Sequence, residues 1–140
     1  GSWNMKKLLA IIVLGLLLGG NAYSKTVYLN CSFINGTFVD QEYKNEKTID
    51  YKSDVTIDLD LKTNTVLDGP YLGKDSNPIM YDDEDRISWQ SQIGPQKKGT
   101  FYLINLNRRN GDLNILTFST VLKYDSSENY KCIKTEKKLF

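Results

Sequence analysis

Residues 100–119, TFYLINLNRRNGDLNILTFS, constrain this chain more than any other stretch of similar length. Two hairpin registers compete for them. A two-residue Asn110-Gly111 turn would set Ile104 against Thr117 and Leu103 against Phe118. A four-residue loop over 108–111 would instead pair Leu106 with Leu113, Asn105 with Asn114, Ile104 with Ile115, Leu103 with Leu116 and Phe101 with Phe118. Like then faces like at nearly every rung, and a matched cross-strand pair contributes a few tenths to about 1 kcal/mol. The four-residue loop is the predicted register, with Gly111 left-handed because glycine has no Cβ to clash there. Apolar side chains on both strand faces predict cover on both sides over part of the hairpin.

Period-two patterns recur elsewhere. Val27, Leu29, Cys31 and Phe33 alternate with polar neighbours, and Ile87, Trp89, Ser91 and Ile93 do the same. Ile49, Tyr51, Val55, Ile57, Leu59 and Leu61 read as one strand of about a dozen residues, with a bend at Ser53. Its wet face would hold Asp50, Asp54, Asp58 and Asp60. Residues 68–85, with two prolines and two glycines, read as a long loop, and Asp125-Ser126-Ser127-Glu128 as the turn before a last strand starting near Asn129. No window carries a capped amphipathic helix. The fold class that follows is all-β: a small antiparallel barrel or sandwich, mainly meander, of about seven to eight strands.

The front of the chain sets the compartment. Residues 1–4 precede the first Met and read as an expression scar or upstream residues. Lys6 and Lys7, the apolar run 8–18, and small residues Ala22 and Ser24 before Lys25 form a cleavable signal peptide over 5–24. A helix of that run spans roughly 16 Å against a hydrocarbon core of about 30 Å, so no stable membrane span is expected. Residues 25–140 then form a single β domain. Removing the leader takes the 18 basic side chains to 16, against 17 acidic ones. Such a balance excludes an obligatory nucleic-acid partner, which needs clustered positive charge. The sequence has no histidine, which removes the commonest general base and metal ligand together. Neither a cofactor nor a metal is expected.

Cys31 and Cys132 are the only cysteines. In an oxidising compartment, and with neither a C-x-x-C spacing nor enough ligands for zinc, they read as an inward-facing structural disulfide. It would tie the first mature strand to the last, at sheet edges that would otherwise fray.

The hairpin residues 107–113, followed by Tyr130-Lys131-Cys132 near the end, resemble a scattered set of short exported bacterial β-rich proteins. Those share an N-R-x-x-G-x-L hairpin and a Y-x-C ending and have no assigned activity. A more distant likeness is to the small periplasmic inhibitors of C-type lysozyme, whose S-G-x-x-Y loop run is not found here.

Aromatic rims suit binding surfaces, so Tyr71, Tyr81, Trp89 and Tyr102, around the 68–85 loop, are the candidate binding residues. Trp89 also lies in an alternation regular enough for core. Arg108 and Arg109 add positive charge at the hairpin tip. Asp82, Asp83 and Asp85 offer oxygen ligands for a hard cation but lack the order that wraps one ion, and so read as a solvated loop edge. No catalytic residue is singled out. The expected function is a non-enzymatic binding or structural module of the bacterial envelope, periplasmic or secreted, acting on an envelope protein, glycan or small ligand. An inhibitor or modulator of a cell-wall hydrolase is the alternative, and a hydrolase the third reading.

Overall fold

The computed structural model describes residues 26–72, 78–93 and 99–136, and the proposed leader lies outside them. The strands are β1 (Thr26–Asp40), β2 (Glu46–Ile49), β3 (Val55–Asp60), β4 (Thr65–Asp68), β5 (Tyr81–Asp82), β6 (Arg86–Ile93), β7 (Thr100–Asn107), β8 (Asp112–Ser119) and β9 (Tyr124–Thr135). Eight form one antiparallel sheet in the order β4-β3-β1-β9-β8-β7-β6-β5, and β2 flanks the far half of β1. The sheet curls into a half-barrel. Its two margins meet where Thr65 bridges Pro78 and Ile79 N–H donates to the Asn64 carbonyl at 2.8 Å.

The β7–β8 hairpin takes the four-residue register, with Leu106 on Leu113, Ile104 on Ile115 and Phe101 on Phe118. Gly111 has φ 83°, the left-handed turn its position requires. Asn107 Oδ1 accepts from the Arg109 and Asn110 amides, which closes the loop from within.

Cys31 and Cys132 are bonded, and their residues are directly opposed in the β1–β9 register. The bond faces inward, since both cysteines are buried beside Val27 and Leu29. It does not clasp edges, however. β1 and β9 are central strands, and the margins belong to β4 and β5.

Four further expectations are corrected. The long strand proposed over 49–61 is split, because β2 pairs with residues 36–39 of β1 while β3 pairs with residues 26–31. The link 50–54 passes a β-bulge in β1 between Phe33 and Asn35, and Tyr51 is exposed there. Asp58, placed on the wet face, is buried between β1 and β4. The run Asp125-Ser126-Ser127-Glu128 is not a turn but the middle of the sheet, paired on one side with β1 and on the other with β8. The turn lies before it, where Lys123 takes φ 54°. The second half of the 68–85 loop is likewise ordered as margin strand β5 on β6.

The interior is graded along its axis. Val27, Leu29, Ile57, Leu59, Ile87, Trp89, Ile104, Leu106, Leu113 and Ile115 fill one end with buried apolar side chains. Beyond the rung that joins Trp89, Ile104, Ile115 and Glu128, the same inward positions turn polar: Ser91, Tyr102, Thr117 and Ser126. Gly36 faces Glu128 in the register, and a Cβ there would come within 2.9 Å of the Ser127 carbonyl. β1 and β9 can approach this closely only with glycine at that rung.

Candidate functional site

The polar interior end gathers around Glu128, which is only 2% exposed. β9 aims it inward between Ile115 of β8 and Gly36 of β1. The Tyr71 and Tyr130 hydroxyls each donate to its Oε1 at 3.3 Å. Its Oε2 lies 3.9 Å from Lys52 Nζ, an ion pair longer than a hydrogen bond. Burying a carboxylate costs several kcal/mol unless charge and hydrogen bonds offset it, and here two phenols serve Oε1 while the Lys52 ammonium faces Oε2.

Tyr71 reaches the cluster from the segment after β4, as a plug. Its backbone has φ 57°, which a bulky non-glycine residue adopts only when its surroundings hold it. Two contacts do so. Its ring stacks on Tyr102 at 4.1 Å with the planes 3° apart, and its carbonyl accepts the Ser91 hydroxyl. Tyr124 stacks on Phe38 nearby. Burial first, and the Glu128 charge second, push the Tyr71 and Tyr130 phenols well above their ordinary value of 10.0. Tyr102 and Tyr124 shift the same way, again chiefly through burial.

A raised phenol favours the protonated, folded form. That stability is fully present below the unfolded-state pKa near 10 and is lost as pH climbs past it. Tyrosine absorbance at 295 nm should therefore show Tyr71 and Tyr130 ionising only as the circular dichroism of the sheet collapses. Ionisation of every tyrosine near pH 10 with the sheet intact would contradict the burial argument.

Of the residues singled out by sequence, Tyr71 and Tyr102 are brought together. Trp89 lies in the core at 0% exposure and offers no surface to a ligand. Tyr81 lies in β5. Arg108 is buried, pairs with Asp82, and donates from Nη1 to the Asp83 carbonyl at 2.9 Å. Arg109 pairs with Asp85 at the surface, where such pairs contribute about 1 kcal/mol or less. Asp83 Oδ1 accepts the Asp85 and Arg86 amides. The basic tip and the acidic run thus neutralise one another and staple the β7–β8 loop to the β5–β6 turn. Among the described residues no group of three or more His, Cys, Asp or Glu is placed to hold a metal ion.

A second feature lies on the outer face. Asn105, Asn114, Asn129 and Asn35 occupy one rung across β7, β8, β9 and β1. They line a groove of about 620 Å³, walled by Ile34 on one side and by Asp83, Asp85 and Arg86 on the other. Asn114 Nδ2 donates to Asn129 Oδ1 at 2.9 Å and to Ser127 Oγ at 3.0 Å, and Asn129 Nδ2 donates to Asn35 Oδ1 at 2.8 Å. The Asn105 amide, Asn114 Oδ1 and Asn35 Nδ2 make no hydrogen bond among the described residues. Further along the same face, Phe101, Phe118, Leu103 and Met80 line an adjoining hollow of about 410 Å³. Asn105 lies four positions along β7 from Phe101, a span of about 13 Å.

Sequence reasoning reached neither Glu128 nor the asparagine row. The aligned Asn105–Asn114 pair was the available signal for the row, and it served only to choose the hairpin register. No family model matches the chain, and neither curated proteins nor solved structures yield a match. Among the described residues no helix is long and apolar enough to cross a membrane.

Proposed function

We propose that the protein is a small exported, non-enzymatic binding module of the bacterial envelope, and that its ligand is a neutral glycan held on the outer face of β6–β9 and β1. The observation that carries this reading is the asparagine row, with unpartnered amide donors and acceptors lining one groove. A sugar hydroxyl both donates and accepts, and an amide side chain matches it in both senses. The charges that border the groove are largely paired, Asp85 with Arg109 and Asp112 with Lys131, which suits an uncharged ligand. The exposed Phe101–Phe118 pair supplies an apolar platform for the less polar faces of further sugar units. The disulfide fits the oxidising compartment where such a ligand is found.

A neutral oligosaccharide array followed by calorimetry tests this. The unaltered protein should bind at least one neutral oligosaccharide, and Asn105→Ala/Asn114→Ala should weaken that binding by about tenfold or more. The estimate takes two hydrogen bonds of about 1 kcal/mol each. The circular dichroism of the sheet should hold, with the melting temperature lower by only a few degrees for the lost Asn114 hydrogen bonds to Asn129 and Ser127. Silence across the array, or equal affinity in the double variant, would overturn the proposal. Stoichiometric capture of one cell-wall hydrolase from a periplasmic extract would instead favour the inhibitor reading.

A further inference from the structure

We propose that the Tyr71–Tyr130–Glu128 cluster at the polar end of the half-barrel is a binding site for an organic ammonium ion, and that Lys52 is its built-in occupant. Glu128 supplies the counter-charge: it is almost fully buried, both phenol hydrogen bonds converge on Oε1, and among the described residues Oε2 accepts none. What approaches Oε2 is the Lys52 ammonium at 3.9 Å, carried on the link between β2 and β3. That side chain is 42% exposed, so it reaches the carboxylate from solvent rather than being packed beside it. Tyr71, Tyr102 and Tyr124 are half-buried around the same carboxylate, so the wall of the cluster is aromatic.

A buried carboxylate behind aromatic walls is what an alkylammonium ion requires. The carboxylate neutralises the charge, and ring faces attract the cation through their quadrupole. Both phenols donate to Oε1, so Oε2, the oxygen that faces the Lys52 ammonium, is the one left to meet a cation. Sequence position argues the same way. Glu128 lies at the centre of the most polar stretch of β9, a strand sandwiched between β1 and β8. Lys52 lies on a link that pairs with no strand, so it can leave without breaking a β-ladder. An amine with a better fit would displace it. This site is separate from the outer groove, and failure of glycan binding leaves it untouched.

The test uses the whole exported chain and n-butylammonium as the probe, with 1-butanol as its uncharged control. Binding is read by calorimetry and by shifts of tyrosine ring resonances. Lys52→Ala removes the internal competitor and should bind n-butylammonium at least tenfold more tightly than the unaltered chain. Lys52→Ala/Glu128→Gln should lose that gain, and 1-butanol should perturb none of the tyrosines. Should Lys52→Ala fail to fold, Lys52→Met keeps the apolar stem and carries the same expectation. If amine affinity is unchanged in the folded Lys52 variant, or if the Glu128→Gln background retains the gain, Lys52 is a structural counter-ion and the proposal fails.

Discussion

Reduction of the Cys31–Cys132 bond is expected to cost this domain roughly 4 to 5 kcal/mol, the largest single loss available to it. The two cysteines are 101 residues apart, and cross-linking a loop of about 100 residues removes about 4.7 kcal/mol of chain entropy from the unfolded state. Small domains hold only about 5–15 kcal/mol in total. Reduction with a dithiol leaves both sulfurs in the core, so it isolates the cross-link from any cavity. With a urea slope of about 2 kcal/mol per molar, the midpoint should fall by about 2 M. A fall below about 0.5 M would show that the β1–β9 ladder holds its register without help from the bond.

Trp89→Ala should come close to that loss, at about 3–5 kcal/mol, the range for deleting a large aromatic side chain from a packed core. Trp89 is 0% exposed and belongs to the same cluster as Ile87, Ile104 and Leu106. Its indole N–H has no hydrogen-bond partner among the described residues, so its contribution comes from packing. The expected signatures are a low urea midpoint and, before mutation, blue-shifted emission that acrylamide quenches poorly. If Trp89→Ala instead kept its stability, the tryptophan would have to be relocated to a surface.

What the chain discloses by itself follows from how locally each element is determined. The β7–β8 hairpin was legible because its strands are adjacent in sequence and their matched rungs leave a single good register. The disulfide was legible as a pairing but not as a position. Nothing near Cys31 or Cys132 says that β9 returns to lie between β1 and β8. The polar run at Asp125-Ser126-Ser127-Glu128 reads as a turn by any local rule, and only its two ladder partners make it strand. The misreading and the missed site share one cause. An interior that turns polar breaks the rule that inward residues are apolar, and a broken rule of that kind is common where a fold serves a ligand. Tyr71 and Tyr102 were found because aromatics near a long loop stand out regardless of the fold. Glu128 was missed because a carboxylate in a polar stretch does not.

The strand order also dictates when this sheet can be completed. β4, β3, β1 and β2 make one half-sheet and β5 to β8 make another, and among the described residues the strand ladders join the two through β9, apart from the Thr65–Pro78 bridge. Until β9 has been synthesised, neither half has a strand partner across its inner margin. Contacts of such long sequence separation form slowly, because the closure of the intervening chain must come first. The centre of the sheet therefore stays unpaired until β9 arrives, and the bond between Cys31 and Cys132, which joins β9 to β1, becomes possible only then.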